Sequence, residues 1–137
     1  MPVSAPSYRT SNDRARSLLG FEPSIDPARV LMCGVRDLDA GERVLVDTTG
    51  VKNVRPSEVA ERLAGHKVYV HLDMDVLDPT ILPAQFAVPG GLSDTGLRTL
   101  LADVAEQCDV VGLEVTAFEH PEGNVELVES IVRAVLV

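Results

Sequence analysis

Residues 68–80 read VYVHLDMDVLDPT, an apolar run of strand length that ends directly in aspartates. Side chains at i and i+2 of an extended chain share a face. Asp73 and Asp75 are therefore expected to project together from the C-terminal end of a strand, the edge at which α/β sheets bind ligands. Two neighbouring, partly buried carboxylates repel, and each is driven towards protonation unless a cation sits between them. A divalent ion is the simplest remedy, and oxygen donors favour manganese or magnesium over a thiolate-seeking metal. His71 shares the same face by the period of two, either as a third ligand or as a group that orients a ligand. Met74 faces the other way and reads as core. Asp78, followed by Pro79, reads as a turn former or as a supporting carboxylate behind the ligands. Capping and turn formation account well for Asp78 but poorly for the Asp73 and Asp75 pair, because two acids on one face of an apolar strand end have no cheap structural use.

Three runs set the fold class: Arg29 to Val35 (RVLMCGV), Lys67 to Leu72 (KVYVHL) and Asp109 to Val115 (DVVGLEV) each have the continuous apolar character of a strand buried on both faces. Helical segments separate them. Pro56 opens SEVAERLAG, which Gly65 stops. Ser93 caps DTGLRTLLADVAEQ, where Leu97, Leu100, Leu101 and Val104 repeat at i, i+3, i+4 and i+7. Asn124 to Val137 carries a broad apolar stripe of Val125, Leu127, Val128, Ile131, Val132 and Val135. The alternation predicts an α/β fold with a parallel sheet and helices on both faces. A sheet of three strands is narrow, and its apolar edge calls for a cover. Residues 1–13 read as an irregular arm, Arg14 to Leu19 as a short helix capped by Ser11-Asn12-Asp13, and residues 14–137 as one unit.

The 137-residue chain is 45% hydrophobic and 24% charged, as expected of a core-forming domain. Its 21 acidic and 12 basic residues leave a formal net charge of −9, which excludes nucleic acid and anionic membrane as partners and favours cations. Cys33 and Cys108 have neither zinc spacing nor a disulfide framework. No apolar run has the ~20 residues of a membrane span, and the N-terminus lacks the apolar stretch of a signal peptide. A soluble, cytoplasmic protein is the expectation.

The run VYVHLDMDVLDP, followed by Pro89-Gly90-Gly91-Leu92-Ser93 and a helix, resembles the motif of the arginase, agmatinase and related ureohydrolases. VLMCGVRDLDAGE (30–42) is similar to that family's strand, Arg-Asp turn and helix, and VVGLEVTAFEHP (110–121) to the strand that closes its active site. The resemblance spans residues 14–137 in the family's order, as its C-terminal half. It implies part of an arginase/deacetylase-like three-layer sandwich. It also implies a hydrolase in which two manganese ions activate water for attack on the guanidinium carbon of an arginine- or agmatine-like substrate. By motif Asp73 corresponds to a metal-bridging aspartate and Asp75 to a carboxylate on one ion.

The family's other metal ligands lie in Gly-Gly-Asp-His and Asp-Ala-His-x-Asp elements of an N-terminal half, and neither is present. His66, His71 and His120 do not stand in such contexts. Two carboxylates cannot hold two ions tightly, so the chain alone is expected to be weakly active or inactive. It is expected to assemble with a complementary N-terminal half or with copies of itself. The family's substrate-facing glutamate falls on Ala117, leaving Glu119, two positions on, as a displaced substrate contact. The loop LPAQFAVPGGLS is shorter than usual and lacks a Thr-Pro, so arginine specificity is not implied. Two other classes compete: a non-catalytic, degenerate α/β module that acts by oligomerising, and a haloacid-dehalogenase-like phosphatase reading of DMDVLDP. The phosphatase reading lacks its downstream lysine.

Overall fold

The computed structural model describes residues 18, 20, 25–118 and 122–136. The irregular arm at 1–13, all of the 14–19 helix except Leu18, and Glu119 and His120 lie outside them. The chain divides into two units, Met1–Asn53 and Val54–Val137.

In the first unit, Asp26 caps a single 3-10 turn, Pro27–Arg29, by accepting the Ala28 N–H at 2.9 Å. Strand β1 follows, Leu31–Cys33. The seven-residue run expected here yields a strand of only three residues. Val30 is still the cap of the turn, and Gly34 takes φ 75°, a left-handed conformation that ends extended pairing. Helix α1, Ala40–Thr48, starts at a capping box: Asp39 accepts the Glu42 N–H at 2.8 Å, and Glu42 accepts the Asp39 N–H at 3.0 Å. β2, Lys52–Val54, pairs with β1, with the Lys52 N–H donating to the Val30 carbonyl at 3.1 Å.

The second unit carries the DMDVLDP stretch. Helix α2, Pro56–Leu63, begins with proline at its first position and precedes Gly65 at φ 76°. Strands β3, Lys67–Asp73, and β4, Asp109–Thr116, are parallel neighbours. Helix α3, Asp94–Gln107, lies between them in sequence, and Ser93 caps it by accepting the Gly96 N–H at 3.0 Å. Helix α4, Val125–Arg133, closes the unit. The molecule is thus an α/β protein with parallel strands, as expected. Hydrogen bonding among the described residues gives two two-stranded sheets, β1 with β2 and β3 with β4, rather than one sheet of three.

Leu72, Met74, Leu77, Leu82, Leu97, Leu101, Ile131 and Val135 form one buried cluster, so the apolar face read along α3 is the face that packs. β3 is buried on one side only. Val68, Val70 and Leu72 turn inwards, while Lys67, Tyr69, His71 and Asp73 are exposed. The two-faced burial expected for this strand is therefore replaced by alternation.

Candidate metal centre

Asp73 is the last residue of β3 and also the cap of the turn that follows. One of its carboxylate oxygens accepts the Asp75 N–H at 2.9 Å, and Met74–Val76 close into a 3-10 turn. The strand thus stops before Asp75, and the i, i+2 argument from an extended chain does not describe this pair. The cause is local. An aspartate side chain competes for a nearby backbone amide, and the turn draws Met74 and Leu77 into the core, each 1% exposed. Asp73 is exposed and Asp75 half-buried, both on a turn anchored by Met74 and Leu77.

A second backbone segment fixes that turn from the side. Leu92 donates its N–H to the Val76 carbonyl at 2.9 Å and accepts the Asp78 N–H at 3.0 Å, a parallel bridge between Leu77 and Leu92. Gly91 makes the approach feasible: it has φ 128°, and a Cβ there would lie 2.7 Å from the Leu77 carbonyl carbon and the Asp78 nitrogen. The Pro-Gly-Gly-Leu-Ser element is therefore a backbone brace for the aspartate turn. Asp78 accepts the Thr80 N–H at 2.9 Å and the Thr80 hydroxyl at 2.6 Å, the bonds of a turn former.

His71 faces β4. Its Nδ1 lies 2.9 Å from Glu114 Oε2 and its Nε2 3.5 Å from the Thr116 hydroxyl. Both side chains of the His71 and Glu114 pair are about half exposed, at 57% and 52%. Sequence reasoning missed Glu114 because the register contains a bulge. Val68 pairs with Val110 and Tyr69 with Gly112, so Val111 is skipped and His71 meets Glu114 instead of Leu113. The glycine inside the run, Gly112, was the available signal, since Tyr69 lies over it so closely that a Cβ would meet the ring at 2.7 Å. Ala117, just beyond β4, holds φ 56°, a strained conformation for a residue with a side chain.

The carboxylates of Asp73 and Asp75 are hard oxygen donors suited to manganese or magnesium, but such ions take about six ligands. Among the described residues no group of three or more His, Cys, Asp or Glu is placed to hold a metal ion. The donors present fit part of a manganese shell and not a whole one.

Comparison with known proteins places these features in a family context. The model of the arginase family matches residues 20–126. N(omega)-hydroxy-L-arginine amidinohydrolase of Streptomyces lavendulae is 29% identical over 122 residues, covering 85% of this chain and 44% of that protein. Hepatic arginase of Aquarana catesbeiana is 33% identical over 88 residues, covering 53% of this chain and 27% of the relative. Among solved structures, arginase of Bacillus subtilis superposes with a TM-score of 0.72 at 24% identity, covering 88% of this chain and 50% of its own. The chain spans less than half the length of these two relatives, and the structural match shows the arginase fold.

Proposed function

The chain belongs to the arginase family, and on that premise we propose that it forms the carboxylate-bearing part of a cytoplasmic, manganese-dependent hydrolase that cleaves a guanidino or amidino C–N bond. The observation that carries this reading is that the family match over residues 20–126 includes a carboxylate turn, Asp73 to Asp75, at the C-terminal end of a parallel strand. Residues 14–137 are then one portion of a single arginase-type domain.

Asp73 and Asp75 would hold manganese, and His71 and Asp78 would stand behind them. When bound, manganese supplies the Lewis acidity that makes water acidic enough to attack near neutral pH. The chain's own contribution is to fix the donors. Met74 and Leu77 anchor the turn from below, and the Leu92 bridge holds it from the side. The formal net charge of −9 favours a cationic guanidinium ligand, and Glu119 is the residue proposed to approach it. The rest of the metal shell comes from a complementary part of the domain, because the described residues lack a group of three donors.

The test is urea release from arginine, agmatine and hydroxyarginine in manganese. It compares the chain alone with the chain co-expressed with the half of Bacillus subtilis arginase that it does not match. Hydrolysis is expected from the pair alone, falling at least about 100-fold when Asp73→Asn removes a charged ligand. No hydrolysis of any of the three substrates, or hydrolysis indifferent to Asp73→Asn, contradicts the reading.

A further inference from the structure

The bulge at Val111 decides what stands opposite the end of β3. The register before it, with Val68 against Val110, would carry on to set His71 against Leu113 and Asp73 against Val115. After it, His71 meets Glu114 and Asp73 meets Thr116. Register partners project to the same face of a sheet, so four polar side chains form a block there, two from each strand. A bulge gives up one ladder position, and bulges gather beside active sites, where they re-aim a side chain. Gly112 accommodates this one: the Tyr69 ring occupies the space that a Cβ would take.

Within the block the hydrogen bonding has a direction. Glu114 Oε2 lies 2.9 Å from His71 Nδ1. An ionised carboxylate can only accept, so Nδ1 carries the proton, and in the neutral ring Nε2 is left with a lone pair. That nitrogen lies on the side of Thr116, 3.5 Å from its hydroxyl, and Thr116 is the register partner of Asp73. An acceptor nitrogen is thus held at the same strand end as the Asp73 carboxylate. Two such acceptors suit a planar cation that carries several N–H groups.

We propose that Glu114 is a positioning residue: it holds His71 in the Nδ1–H tautomer so that Nε2 accepts a hydrogen bond from a guanidinium or amidinium N–H beside Asp73. The ligand class rests on the arginase-family reading, since the geometry alone calls for a cationic N–H donor. His71 then determines specificity, favouring N–H cations over cations of equal charge that have no donor.

The test uses the full chain isotopically labelled at its histidine nitrogens, about two pH units above the ordinary histidine value so that the rings are neutral. Long-range proton–nitrogen spectra read the tautomer of each ring. His71 is expected as the Nδ1–H form in the wild type and in Glu114→Gln, which keeps an accepting oxygen, and to lose that preference in Glu114→Ala. His66, whose Nδ1 lies 3.2 Å and 3.1 Å from the Leu63 and Ala64 carbonyl oxygens, should hold its Nδ1–H form in all three, which reports an intact fold. Methylguanidinium should move the His71 Nε2 resonance to saturation, binding about 5-fold more weakly in Glu114→Ala. Tetramethylammonium, with the same charge and no N–H, should leave it still. A His71 ring in the Nε2–H form, a tautomer indifferent to Glu114→Ala, or an Nε2 that ignores methylguanidinium or answers both cations alike overturns the proposal. A response at Nε2 without urea release from the co-expressed pair keeps the positioning role and removes the catalytic reading; urea release with Nε2 unmoved does the reverse.

Discussion

At Asp73 one carboxylate closes a turn and marks a strand end, and the same group is the proposed ligand. Asparagine at this position keeps the oxygen that accepts the Asp75 N–H and loses the negative charge, so Asp73→Asn separates the two roles. Gly91 is the residue on which that turn's geometry depends most tightly. In Gly91→Ala the new methyl would stand 2.7 Å from the Leu77 and Asp78 backbone at φ 128°. The expected cost is about 3 kcal/mol, the upper end of what overpacking exacts, measured as a lowered urea midpoint; an unchanged midpoint contradicts the brace. Glu58 gives a pH prediction. Its carboxyl is held down to about 2 from an ordinary 4.5, chiefly by the Arg55 side chain, then by the Arg55 backbone N–H and by Arg62. A value lower in the folded chain means stabilisation that is complete above pH 4.5 and is lost as the pH falls through about 2. The wild type should therefore lose thermal stability faster than Glu58→Gln in that window, and parallel curves would contradict the assignment.

At the scale of elements, α3 was legible because its signals agree: Ser93 as cap, apolar spacing through Leu97, Leu101 and Val104, and burial of those three residues. Ser93→Ala removes the bond to the Gly96 N–H and should cost about 1 kcal/mol in unfolding free energy; a cost near zero would show that the helix start is held by packing alone. β3 and β4 were also readable to within a residue. The burial of one face only is harder to see, because the apolar run masks the polar alternation of Lys67, His71 and Asp73. The pairing of His71 with Glu114 depends on a one-residue bulge at Val111, and a bulge is a property of two strands together, invisible in either. The turn at Met74–Val76 was lost for a related reason. The sequence pattern marks Asp73 as a donor for a cation, whereas the nearest amide reaches it first. β1 is shorter than its apolar run, since Gly34 at φ 75° breaks the run from within.

At the scale of the whole molecule, the family was legible from motif order alone, whereas the described residues contain no group of three or more His, Cys, Asp or Glu placed to hold a metal ion. The proposed metal centre therefore becomes whole only when a complementary part supplies the remaining donors. Manganese(II) binding followed by electron paramagnetic resonance tests this most directly, because the signal of the free ion is lost on binding whether or not turnover follows. The chain alone should bind manganese weakly, and the chain with the unmatched half of Bacillus subtilis arginase at least about 100-fold more tightly, as expected when the ligand number rises towards six. In the mixture Asp73→Asn and Asp75→Asn should each return the affinity to that of the chain alone. Equal affinity of wild type and both variants in the mixture would contradict the central claim that these two carboxylates hold the ion.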